Sequence, residues 1–404
     1  MRRYLLIVFV LVIFASCKKD KEPVVLRMFN YKMEYENQFK HISGLFAEKN
    51  KGKYKIEIES VPYEAFLILQ SNLNEGRGWD IMMVPPSRGI STNALNRYFL
   101  DLTNEKIFDK IFPKIIKTVS YDNKVYAIPY GLNAYGLFYN KGIFERENIK
   151  PPVSFDEFKN VCTNFKSKSI TPFSISGKDD WVAAQLFFSL ISSAMGQNFD
   201  DWLNAMNQGI SSFNTPAITK VFDSLDFYRD NGGNQNINIG YNDQVNIFAQ
   251  EKSAMILQNF DSILLAMSKN KSLNIGTFPY YIDSLDSMRL VVNADFAFSI
   301  SNSMDRKKTK AAKEFLKFLM DDEVLNYFNQ NSTIILSFKN YDKNGVYSEI
   351  YDRLNSESFV LFNRNKIPTQ VYERSRGIIN DYINGDIDRN NAIATLDKSW
   401  SISK

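Results

Sequence analysis

Apolar positions along the chain come in short blocks whose period changes from block to block. Residues 24–30 (VVLRMFN) form a nearly unbroken apolar run, the mark of a strand buried on both faces. Phe39, Ile42, Leu45 and Phe46 then recur at three- and four-residue spacing, which predicts a helix with one apolar stripe. Residues 55–61 (KIEIESV) alternate and give a second strand. A second helix begins near Tyr63, with Ala65, Phe66, Leu69 and Leu73 on its face, and Gly76-Arg77-Gly78 ends it. Residues 79–84 (WDIMMV) make a third strand, stopped by Pro85-Pro86. The order β-α-β-α-β predicts a parallel sheet with helices outside it. Ligands of such sheets gather beyond the carboxyl ends of the strands, here residues 30–34, 61–64 and 85–88.

The middle of the chain repeats the alternation with longer helices. Residues 125–129 and 135–139 read as two strands around a polar joint at 130–133, followed by the turn signal Asn140-Lys141-Gly142. Pro151-Pro152 breaks the chain, and Ser154 with Glu157 forms a capping box ahead of an apolar-faced helix that carries Cys162. Further helices are expected over 181–195 and within 211–228, and strands at 171–174, 273–281 and 294–300. Ala312, Phe315, Leu316, Leu319, Val324 and Phe328 predict one long helix over 308–329, and residues 347–404 read as helical.

A chain of 404 residues is longer than a single core usually serves, so two domains are expected. Arg2-Arg3 precede an apolar run of about 12 residues, too short to span ~30 Å of hydrocarbon, and this reads as a signal peptide over residues 1–16. Its end, Phe14-Ala15-Ser16-Cys17, resembles a bacterial lipobox, which implies lipidation of Cys17 and a solvated tether over 17–23. Loss of Arg2 and Arg3 with the signal lowers the net charge from +4 to +2, too little to argue for nucleic acid. With Cys17 lipidated only Cys162 remains, so no disulfide forms within a monomer. His41 is the single histidine, and no HExxH, CxxC or Gly-rich phosphate loop is present, so no cofactor or metal is expected.

The stretch 121–158, YDNKVYAIPYGLNAYGLFYNKGIFERENIKPPVSFDEF, resembles the extracellular solute-binding proteins that deliver sugars to ABC importers, the maltose-binding type. Residues 98–103 (YFLDLT), 248–257 (FAQEKSAMIL), 273–281 (LNIGTFPYY) and 294–300 (ADFAFSI) resemble further segments of that family in the same order. The resemblance implies an α/β, two-lobed periplasmic-binding-protein-like fold, each lobe a sheet flanked by helices and joined by a hinge of several crossings. It sets one lobe at 24–130 plus 295–338 and the other at 131–294 plus 339–404. It implies a monomer that is not an enzyme, held to a membrane by its lipid, closing on a sugar and docking on the transmembrane subunits of a permease. A receptor for a polyamine, peptide or iron, or a surface lipoprotein that no longer transports, is the alternative. A glycosidase would need a carboxylate pair, and Asp179-Asp180 and Asp200-Asp201 read as caps and turns.

A sugar pocket joins aromatic platforms to polar side chains that pair with hydroxyls. Position by position the resemblance implies ligand contacts at Tyr31 and Glu34 after the first strand, Arg88 after the third, and Asn133 at the crossing. It adds Asp180 and Trp181 at a helix start, and Tyr372 with Arg374 near the C-terminus. The family's M-x-x-x-G-x-W becomes Met255-Ile256-Leu257-Gln258-Asn259-Phe260-Asp261 here, so Phe260 is expected to replace the aromatic platform, or Asp261 to touch ligand.

Overall fold

A computed structural model describes residues 22–62, 73, 78–86, 97–232, 239–282, 289–339, 341, 343–362 and 364–403. The signal segment, Cys17, the helix expected from Tyr63 (Leu73 apart) and Arg88 lie outside these residues.

The first three strands are β1 (Val24–Asn30), β2 (Tyr54–Ser60) and β3 (Ile81–Val84), parallel as expected. The helix Glu36–Lys49 covers them, burying Phe39, Ile42 and Phe46. A tight hairpin of β4 (Ser120–Tyr121) and β5 (Lys124–Val125) follows, turned by Asp122 and Asn123, both at positive φ.

Next comes the strand that organises the molecule. The two strands and polar joint expected over 125–139 are one continuous strand, β6 (Ile128–Asn140), with all thirteen residues buried. The joint disappears because β10 (Leu290–Ile300) pairs straight across it, from Val291 opposite Tyr135 to Phe298 opposite Ile128. Backbone pairing on both sides satisfies the polar residues that looked like a loop.

At its start β6 also pairs with the two-residue β11 (Ile335–Leu336), and at its end with β8 (Ser253–Asn259) and β9 (Ile275–Phe278). β7 (Thr171–Ser174) lies parallel outside β8, and β12 (Phe359–Leu361) parallel to β10. The mixed sheet runs β2-β1-β3-β10-β6-β8-β7, with β9, β11 and β12 added on its flanks.

Gly131 sits where β6 and β10 press closest. A Cβ there would lie 2.2 Å from the Phe296 ring, so only glycine lets this ring cross the strand.

Helices flank both ends of the sheet. Ser154 caps Phe155–Ser167 by accepting from the Glu157 amide at 3.2 Å, while the Glu157 carboxylate accepts from the Val153 amide at 2.9 Å. The long helix expected over 308–329 is two, Arg306–Phe318 and Asp322–Asn331. Asp305 caps the first of them by accepting from the Lys307 and Lys308 amides.

Apolar burial divides into two clusters. One joins the proximal strands to Phe315, Phe328, Phe260 and Tyr351; the other gathers Phe158, Phe187, Phe222 and Trp400 around the distal strands. β6 feeds both, because its side chains alternate: Phe138 belongs to the first cluster, Leu137 and Tyr139 to the second. Cys162 is fully buried in the distal cluster, and burial pushes its thiol up to about 12, so it acts as a small apolar side chain. His41 stacks on Tyr327 with ring centres 4.4 Å apart, far from any nucleophile arrangement.

Candidate binding cleft between the lobes

The site grows from the β6–β10 pairing. Asn133 and Asn293 lie directly opposite each other, and both are more than nine-tenths buried. Cross-strand partners project to the same face of a sheet, so two amides stand side by side there.

Asn133 ties this face to the helix Phe260–Lys269. Its Nδ2 donates to Asp261 Oδ2 at 2.8 Å, and its Oδ1 accepts from the Phe260 amide at 3.1 Å. Asn259 caps the same helix, accepting from the Ser262 amide at 3.1 Å. Asp261 is thereby held by a buried side chain at one oxygen while the residue keeps more than a third of its surface open.

Opposite lies a second acid. Asp295 falls where the β10 register shifts, between Ala294 and Phe296, so it drops out of the strand pairing. A bulge of this kind re-aims the side chain. Lys32 reaches it with Nζ 2.6 Å from Oδ2 and lies 3.8 Å from Glu34 Oε1. Tyr31 is buried and donates its hydroxyl to the Asp295 carbonyl at 2.9 Å, which fixes the bulge from behind. Tyr35 pairs with Thr333 at 3.0 Å beside them.

The charges feel one another. Desolvation by the protein packed around the partly open Asp261 pushes its carboxyl up to about 6, and Asp295 and Glu34 push the same way, while Lys32 and the Asn133 amide oppose. Burial works to lower Lys32, but Asp295, Asp261 and Glu34 outweigh it and hold the ammonium above its ordinary range. Both directions describe a site in which, among the described residues, acids outnumber bases.

Aromatic groups flank the polar floor. Trp181, half-buried at the start of the helix Asp180–Met195, lies 5.1 Å from the Tyr241 ring at 54°. Tyr241 in turn receives a 3.2 Å hydrogen bond from Ser262 Oγ, the residue after Asp261. One turn beyond Trp181, Gln185 donates to Gln258 Oε1 at 3.4 Å, and the same oxygen lies 3.2 Å from Ser262 Oγ. Tyr135, fully enclosed, accepts from Asn293 Nδ2 at 3.0 Å and meets Phe362 edge-on.

Of the residues expected at a ligand, the structure brings Asn133, Asp261, Tyr31 and Glu34 to one place, with Trp181 joined through Tyr241. Others have different work. Phe260 is no platform: its ring is buried against Phe138 and, edge-on, Tyr347, because a residue starting a helix over an apolar sheet points inward. Asp180 is held by Arg376 through Nε at 3.1 Å and Nη2 at 2.7 Å. The Tyr372 ring is covered by the Arg364 guanidinium at 3.5 Å and Phe188 at 5.6 Å, and Arg374 is exposed.

Sequence reading missed Lys32, Asp295, Asn293, Tyr135 and Tyr241. Asp295 could have been noticed, since a lone acid inside the apolar run ADFAFSI is unusual in a buried strand. Tyr241 carries no such signal.

A family model of the bacterial extracellular solute-binding proteins matches residues 45–348. The chain belongs to this family. Among curated relatives, the multiple sugar-binding protein of Streptococcus mutans serotype c is 27% identical over 325 residues, 76% of this chain and 75% of that one. The melibiose/raffinose/stachyose-binding protein MelE of Bacillus subtilis is 27% identical over 183 residues, 44% of this chain and 38% of that protein. Among solved structures, the apo form of RafE from Streptococcus pneumoniae superposes with a TM-score of 0.80 at 22% identity, covering 95% of this chain and 98% of that one. RafE in complex with raffinose gives 0.73 at 23% identity, covering 94% and 100%. The fold of this solute-binding protein is therefore the two-lobed α/β one. Its family consists of binding proteins rather than enzymes. Among the described residues no group of His, Cys, Asp or Glu is placed to hold a metal, and no helix is long and apolar enough to cross a membrane.

Proposed function

We propose that this solute-binding protein is the sugar receptor of an ABC importer. It takes a sugar between its lobes, closes, and docks on the transmembrane subunits of the permease, breaking no bond. Residues 24–130 with 295–338 form one lobe and 131–294 with 339–404 the other, with β6 and β10 as the crossing. Cys17, cleaved and acylated, tethers a monomer to the membrane facing the exterior or periplasm.

The single observation that carries the reading is the composition of the cleft. Asn133, Asp261, Lys32 and Asp295 supply convergent polar groups on a rigid floor, and Trp181 with Tyr241 supplies aromatic flanks. Hydroxyls need the first and sugar C–H faces need the second. The sugar-binding names of the relatives agree with it. Arg88 is kept as a contact on the resemblance alone.

The mechanism is a population shift. A ligand closes the lobes only through tighter binding to the closed form, and moving them from mostly open to mostly closed takes a preference of roughly 10²–10⁴. Calorimetric titration with raffinose, melibiose, stachyose and a wider sugar and polyol panel tests the reading. Saturable binding is expected, with thermal stabilisation of about 2.7 kcal/mol at 100 times the dissociation constant. Silence across the panel by both heat and thermal shift would remove it.

A further inference from the structure

We propose that the sugar taken by this cleft carries a protonated amine, seated on Asp261. This rests on the sugar-receptor reading and narrows it to an amino-sugar class.

The cleft floor has more acceptors than donors. Among the described residues three carboxylates, Asp261, Asp295 and Glu34, face one ammonium, Lys32, which sits on Asp295 at 2.6 Å and reaches Glu34 at 3.8 Å. Asp261 is left with one neutral donor among the described residues, the Asn133 amide on Oδ2 at 2.8 Å, and more than a third of the residue stays open to solvent. A second observation points the same way. Asn293, on the strand opposite Asn133, is 7% exposed, gives Nδ2 to Tyr135, and keeps its Oδ1 without a partner. Buried acceptors left unmatched cost free energy until a donor arrives. The missing partner is thus a donor-rich, positively charged group.

An ammonium supplies three donors and a charge, and charge-assisted hydrogen bonds to a carboxylate are about twice as strong as neutral ones. Trp181 and Tyr241 remain nearby for the sugar ring, and an aromatic face is itself attractive to a cation. A polyamine would fit the charge but would leave the aromatic flank unused. An acidic sugar would meet Asp261 and Glu34 with like charge.

The test is calorimetry at pH 7 on the full mature chain with matched sets: glucosamine and galactosamine, their N-acetylated forms and the parent neutral sugars, each as mono- and disaccharide. The amine is expected to bind about tenfold or more tighter than its neutral counterpart. Asp261→Asn should bring the two to the same affinity, while circular dichroism and melting report that the variant is folded. Neutral or N-acetylated sugars binding as tightly as the amines would overturn this inference and leave the sugar receptor standing. A preference that survives in Asp261→Asn would overturn it too. Binding of spermidine in place of every sugar, or of nothing at all, would overturn both readings.

Discussion

Two clusters of charge in this molecule both set aspartates against cations and behave differently. On the distal lobe Arg389 reaches Asp223 at 2.7 Å and Asp226 at 2.9 Å, Arg229 reaches Asp226 at 3.1 Å, and Tyr382 donates to Asp226 at 2.7 Å. Three acids there, counting Asp230 at 2.9 Å from Arg229, meet two guanidinium groups and a phenol, and the Arg389 charge is held firmly on. In the cleft Asp261, Asp295 and Glu34 share one lysine, and Asp261 is pushed up to about 6. A closed set of charges joins helices; an open set waits for something. Unevenly matched charges of this kind are where a candidate functional site is sought.

The largest expected effect comes from removing the one cation of the open cluster. Lys32→Met leaves the Asp295 carboxylate without its ion pair, where the Lys32 and Asp295 side chains are only 15% and 23% exposed. A loss of about 3 kcal/mol in denaturant unfolding is expected. A neutral result would mean that the cleft is wetter than the geometry implies. Next, Trp181→Ala should weaken sugar binding by about 2 kcal/mol, roughly thirtyfold, with little change in melting. Unchanged affinity by calorimetry would take Trp181 out of the site. In the closed cluster, Arg389→Ala should cost about 1 kcal/mol of stability, discounted for exposure, and leave sugar affinity where it was. A change in affinity there would erase the distinction drawn above.

The smallest effect is a pH dependence, damped by solvent because Asp261 is more than a third exposed, and its sign is fixed. The folded Asp261 binds its proton up to about 6, while an unfolded aspartate releases it near 4. Between those values the native state holds more protons, so stability falls as pH rises from about 4 to 6 and the cost stays in place above that. Asp261→Asn removes the slope. Melting curves of the two proteins should therefore draw apart as pH rises from 4.5 to 7, with the variant gaining. Parallel curves would place Asp261 in ordinary solvent.

Much of the architecture was legible because it depends on local pattern. The period of Phe39, Ile42 and Phe46 sets a helix, Ser154 and Glu157 set its successor's start, and the apolar run at 24–30 sets a buried strand. Asn133 and Asp261 were legible too, through the order of family-like segments around them. β6 was misread in its middle: Gly131, Leu132 and Asn133 look like a joint until β10 is laid beside them. The pair β11 and β12 is too short, at two and three residues, to leave a periodic mark.

What the chain determines by itself is each element and the face it buries, since helix stripes and strand alternation follow from spacing alone. Which distant residues share a cleft is decided only by folding. Lys32 and Asp295 are separated by more than two hundred and fifty positions, and nothing about either neighbourhood announces the other. Their meeting depends on β10 returning antiparallel to β3 and slipping register at Asp295. Non-local pairing of this kind is set by the packing of the whole sheet, so the charge balance of the cleft is a property of the tertiary structure.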